Sequence, residues 1–136
     1  MEGLLKVTPN KERVRSILKL VDVTLEMIDS LDHKKFITLI TRDYYDIIRE
    51  LITALLLLDG FKTEGEGAHK KLIEYLSIAY KNDFKRHEII LLEDLREKRN
   101  KISYEGLFVT ENYLISREQE IKSIISMLKE TINKKL

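Results

Sequence analysis

The chain has 136 residues, of which 5 are Gly and 1 is Pro, about a third of the roughly 12% an average chain carries. So few backbone breakers exclude a β-sandwich, a barrel or a collagen-like repeat, and zero Cys excludes disulfides, thiol catalysis and thiolate metal sites while suiting a reducing, cytoplasmic setting. Lys plus Arg number 24 against 23 Asp plus Glu, a net charge of +1, so no chain-wide basic field advertises nucleic acid and any polyanion contact must be local.

Met1 to Thr8 has no apolar stretch long enough for a signal peptide. Thr8-Pro9 reads as an N-cap followed by proline at the first helical position, where its missing N–H costs nothing. Helix one then runs to about Ser30, with Val14, Ile17, Leu18, Val21, Leu25 and Ile28 along one face. A second helix is predicted from about Lys34 to Leu58. Phe36, Ile40, Tyr44, Ile47, Leu51, Leu55 and Leu58 form its stripe, widened by Ile37, Ile48, Ile52, Leu56 and Leu57. Apolar on nearly two faces, it should be central. Its run Leu51 to Leu58 falls far short of the roughly 20 residues a membrane span needs, so no membrane partner is expected.

Gly60 stands where a left-handed C-cap is wanted, and Lys62 to Gly67 reads as a plain connector. Helix three, about Ala68 to Tyr80, turns Leu72, Tyr75, Leu76 and Ala79 inward and breaks at Asn82-Asp83. Helix four follows from near Lys85 to Ser103. Leu107 to Val109 is too short to make a sheet. A last helix carries Ile121, Ile124, Ile125, Leu128 and Ile132. Ser116 with Gln119 has capping-box spacing for its start, and Thr110 is a rival cap. The expected architecture is all-α: residues 1–136 as a single domain, an antiparallel bundle of four long helices plus one short helix.

Helix four breaks its own pattern. The stripe Leu91, Leu92, Leu95 and Ile102 has a gap that falls on Arg99. Helical geometry sends that side chain toward the core, where an unpaired guanidinium would cost several kcal/mol, so it needs a partner, a cleft or a subunit interface. Asp46 and Glu50 on helix two are the acidic candidates, and spacing does not choose between them.

The segment REKRNKISYEG, Arg96 to Gly106, resembles the signature of HEPN domains, small all-helical proteins of bacteria and archaea. YYDIIRELITALLLLDGFK and AHKKLIEYL resemble the second and third helices of archaeal members. The resemblance spans about Tyr44 to Ile132. It implies a homodimer built around an Arg-polar pair followed by a His, which active members use as a metal-independent ribonuclease. Arg99 and Asn100 match the pair, but Ser103-Tyr104 stands at the His position, and His33, His69 and His87 lie outside the segment. Cutting RNA through its 2′-hydroxyl needs a group exchanging protons near neutrality. Imidazole does so at a pKa of about 6.5, whereas a phenol near 10 stays protonated.

The expectation is therefore a non-catalytic or weakly active protein that binds nucleotide, RNA or a partner protein. Its cleft would be formed by Arg99, Asn100, Ser103, Tyr104, Asp46 and Glu50. The alternatives are a toxin-type RNA endonuclease held in check by a minimal nucleotidyltransferase, and a purely structural dimeric bundle. No cofactor or metal is expected. Glu66 and His69 have the Glu-x-x-His spacing of di-iron bundles, but the motif occurs once and half of it lies in the connector, so His69 is expected to cap or pack at the start of helix three. His87-Glu88 lacks the second His of a zinc-protease motif, since Leu91 occupies that place. Tyr44, Tyr45 and Tyr75 sit at core spacing rather than forming a base-stacking surface.

Overall fold

A computed structural model describes residues 1–136. The chain is mostly helical, and its elements in order are β1 (Leu4–Lys6), α1 (Lys11–Ser30), α2 (Ile37–Asp59), β2 (Phe61–Thr63), α3 (Ala68–Ala79), α4 (Arg86–Glu105), α5 (Glu111–Ile115) and α6 (Glu118–Lys135). No helix is long and apolar enough to cross a membrane.

Central α2 is covered by its own chain, with α1, α6, α4 and α3 all packing on it. Its apolar residues from Ile37 to Leu57, exposed Leu39 excepted, are buried and join a single cluster of 30 buried side chains. A fully buried Leu or Ile is worth about 1.5–3 kcal/mol, so α2 dominates the core. Both faces being satisfied within one chain, the two-faced pattern of this helix does not by itself call for a second copy. The α6 stripe is buried as its spacing predicts, the α1 stripe likewise except that Leu18 and Leu25 are only partly buried against the core, and Leu91, Leu92, Leu95 and Ile102 of α4 are buried around the Arg99 gap. In α3 Ile73 takes the inward place expected of Ala79, which is exposed.

The element ends differ from expectation where a side chain outbids the local pattern. Asn10, not Thr8, caps α1, its Oδ1 accepting from the Arg13 N–H at 3.0 Å. Lys34 and Lys35 are held outside α2 because both amides donate to Asp32 Oδ1, closing a turn that delays the helix to Ile37. Ser116 and Gln119 form no capping box. Thr110 caps α5, a five-residue helix absent from the sequence reading, and Ser116 Oγ donates back to the Asn112 carbonyl. Gly60 does adopt the left-handed conformation at the end of α2, φ 88°.

The connector is only partly a plain loop. Its first residues belong to β2, which pairs antiparallel with β1, Leu4 opposite Thr63 and Lys6 opposite Phe61. Val7 N–H extends the ladder to the Gly60 carbonyl at 2.9 Å. Leu107 to Val109 forms no strand and instead docks on the start of α2, Val109 N–H donating to Thr38 Oγ1 at 3.1 Å.

Candidate functional site

Residues three and four apart on a helix share a face, so α2 presents Asp46, Arg49 and Glu50 together while α4 presents Glu93, Arg96 and Arg99. The packing of α2 on α4 brings these rows side by side. Arg99, with its side chain only 15% exposed, donates from Nε to Asp46 Oδ1 at 3.1 Å. Asp46 is thus the partner, and Glu50 pairs with Arg49 at 3.4 Å. Arg49 also stands 4.0 Å from Asp46, and Arg96 is held by Glu93 at 3.1 Å. Arg99 is anchored through Nε alone, which leaves both terminal amino groups without a protein acceptor. A guanidinium fixed by one edge and open at the other suits an anion with paired oxygens.

Two further groups lie in the field of these arginines. The Tyr45 hydroxyl of α2 is pushed up to about 12, chiefly by burial, and Arg96, Arg49 and Arg99 each act against that rise. The imidazole of His69, in the first turn of α3, has its pKa lowered first by burial and then by Arg49, Arg99 and Arg96, with Asp46 opposing. His69 is half-buried in the first turn of α3, within the field of these arginines, which its place in the sequence does not disclose. Glu66, its partner in the Glu-x-x-His spacing, is exposed on the connector.

A groove of about 370 Å³ opens beside this cluster, between α1 and α2. Asp43, Asp46, Arg49 and Glu50 form one wall, Leu20, Val21 and Met27 the other. Asp43 is raised above its ordinary value by burial, against the pull of Arg42. Asp46 and Arg49 belong both to the groove and to the cluster. The apolar wall continues on the outside of α1, where Leu20, Val23 and Met27 are exposed.

The other candidates divide. Asn100 is half-buried beside Arg99 in sequence, but Ser103 and Tyr104 are exposed, Tyr104 to 78%. Five helical steps carry Tyr104 roughly 140° around α4 from Arg99, so the two side chains leave on different sides. The Tyr at the expected His position thus does not share the buried face with the arginine. Tyr44, Tyr45 and Tyr75 are core residues, as their spacing indicates. The Tyr44 hydroxyl donates to Glu118 at 2.8 Å, and His33, whose Nε2 lies 2.9 Å from the Ile28 carbonyl, places Nδ1 3.7 Å from the same carboxylate, tying the α1–α2 turn to α6. His87 stands 3.4 Å from Glu120, outside the cluster.

No family model, curated protein or solved structure matches the chain. The site's own chemistry is what points to a function.

Proposed function

We propose that the chain is a HEPN-like antiparallel helical bundle, assembling as a homodimer, that binds RNA or a nucleotide at the Arg99 cluster and has little or no catalytic activity. The observation that carries this reading is the half-used guanidinium of Arg99: it is nearly buried, braced by Asp46, and keeps its terminal donors for an outside acceptor. Arg49 and Arg96 stand beside it, each paired with a carboxylate, Glu50 and Glu93, so the free terminal donors of Arg99 are the ones on which a phosphate would replace water. The exposed Leu20, Val23 and Met27 of α1 offer the apolar surface a second copy would need. Weak or absent catalysis follows from Tyr104, a phenol turned to solvent where proton transfer is expected. A cytoplasmic setting accords with the Cys-free sequence.

The alternative of a purely structural bundle is favoured by the same Asp46 contact, which neutralises Arg99 inside one chain. Fluorescence anisotropy with a labelled single-stranded RNA separates the two. The binding reading expects weak, salt-sensitive association that Arg99→Ala reduces tenfold or more, corresponding to the roughly 1.5–3 kcal/mol of a charged hydrogen bond. Absence of association with RNA and with nucleotides alike leaves the structural bundle. Robust metal-independent cleavage of the same RNA would instead establish the toxin-type endonuclease, for which a minimal nucleotidyltransferase is the implied partner.

A further inference from the structure

The outer face of α1 carries a pattern that its own bundle does not use. Arg13, Ser16, Leu20, Val23, Met27 and Ser30 recur at alternating steps of three and four, the spacing of a coiled-coil seam, and all six are exposed. They lie on the side of the helix away from the buried Val14, Ile17, Val21 and Ile28. The middle of the seam is apolar, with Leu20 60% and Val23 55% exposed. Thr24, which lines the groove against α2, flanks it on one side, and Lys19 and Glu26 flank it on the other, toward Asp22, which is tied to Lys129 of α6.

The charges of α1 run against its own dipole. Lys11, Arg13, Arg15 and Lys19 occupy the N-terminal half with only Glu12 among them, and Asp22, Glu26 and Asp29 occupy the C-terminal half with no cation. A lone helix favours the reverse, which α6 shows with Glu118 and Glu120 in its first turn and Lys134 and Lys135 in its last. Of the charged groups on α1 only Asp22 is paired within the chain, so Lys19 and Glu26 have no ion partner there. An antiparallel helix of the same sequence supplies the missing counter-charges, basic half against acidic half.

We propose that a second copy of this chain docks its α1 antiparallel on α1, about a two-fold axis midway between Leu20 and Val23. The inference rests on the homodimer of the proposed function and gives that dimer its face and its orientation. In this register Leu20 meets Val23 of the second copy, Ser16 meets its Met27, and Arg13 meets its Ser30, so the apolar layers fall at the centre and the polar ones at the ends. Lys19 of each copy faces Glu26 of the other, which pairs both free charges twice over. A parallel pair would set Lys19 against Thr24 and leave them unmatched. With Leu20, Val23 and Met27 as the only large apolar side chains on the seam, the interface is small and the dimer a micromolar one.

The test is the mass of the full chain by light scattering, which should rise toward that of two chains between about 5 and 200 µM. Val23→Glu puts a carboxylate beside the axis in each copy and should hold the protein monomeric across that range. The site is exposed, so its circular dichroism and urea midpoint should match the wild type. Lys19→Glu and Glu26→Lys each create two like-charge contacts and should weaken self-association about five- to thirtyfold. An equimolar mixture of the two variants restores both attractions, so native mass spectrometry with one of them isotopically labelled should show mixed dimers in excess of either homodimer. A wild type that stays monomeric throughout overturns this face and the homodimer reading together. A dimer that survives Val23→Glu overturns the face and leaves the homodimer standing. A dimer that Val23→Glu breaks, but whose charge variants show no preference for each other, overturns the antiparallel register. None of these outcomes depends on RNA.

Discussion

Two polar clusters occupy opposite halves of α2, and they are built on opposite terms. At its C-terminal end Asp59 accepts from the hydroxyls of Tyr75 and Tyr80, each at 2.7 Å, and from Lys135 Nζ at 2.9 Å, so α2, α3 and α6 converge on one carboxylate. Its acceptor capacity is spent inside the chain. Around Asp46 the balance is reversed, because Arg99 spends one edge of its guanidinium there and keeps the other. Both clusters cost desolvation to bury. A closed cluster returns that cost as stability, whereas an open one holds donors ready for something outside the protein. The state of its donors and acceptors, rather than its charge, tells a staple from a site.

The comparison breaks most readily at the staple. Asp59→Ala orphans the hydroxyls of buried Tyr75 and half-buried Tyr80 and a lysine, and should cost about 2–4 kcal/mol in urea denaturation while leaving RNA affinity unchanged in the folded protein. Loss of binding by folded Asp59→Ala would erase the distinction between the clusters. The same staple should fail in alkali. Burial, and then the Asp59 contact, holds Tyr75 and Tyr80 above the ordinary phenol value, as burial and carboxylates do for Tyr44 and Tyr113. Above about pH 10 the unfolded chain releases phenol protons that the folded chain keeps, so stability present below that pH should fall as pH rises. Urea midpoints from pH 8 to 11 would show this, with a shallower decline in Asp59→Ala.

At the open cluster the stability effect should be smaller and the binding effect larger. Arg99→Ala frees Asp46, itself partly exposed, and should cost about 1 kcal/mol of stability against a tenfold or greater loss of RNA affinity. The smallest effect is expected of Tyr104→His. At a site so exposed the change should move stability by no more than about 0.5 kcal/mol and should not raise RNA cleavage, since the new imidazole would leave α4 on the wrong side. A gain in cleavage there would place the proton-transfer position back beside Arg99.

The contrast between legible and hidden features follows the range of the forces involved. The stripes of α1, α2, α4 and α6 could be read because burial imposes the helical period on sequence, and the Arg99 gap could be read as a fault in one stripe. Choosing Asp46 over Glu50 could not, since the two lie one turn apart on the same face and only the axial offset of α4 decides. His69 carries no local mark of the field it sits in, which comes from arginines of α2 and α4. Asn10 and Asp32 outcompeted more familiar start signals through single hydrogen bonds, a margin of about 1 kcal/mol that sequence spacing does not resolve. Strands of three residues, β1 and β2, are too short to show alternation.

That ribbon gives the α2–α3 connection dynamics of its own. A two-stranded ladder is marginal alone, and this one holds the segment between α2 and α3, with Glu64 N–H donating to the Gly3 carbonyl and Lys71 Nζ to the Glu64 carbonyl. Amide protons of Leu4 to Lys6 should exchange with solvent through local opening, orders of magnitude faster than those of Leu51 to Leu57, which wait for global unfolding. Each such opening releases the chain that leads from α2 into α3.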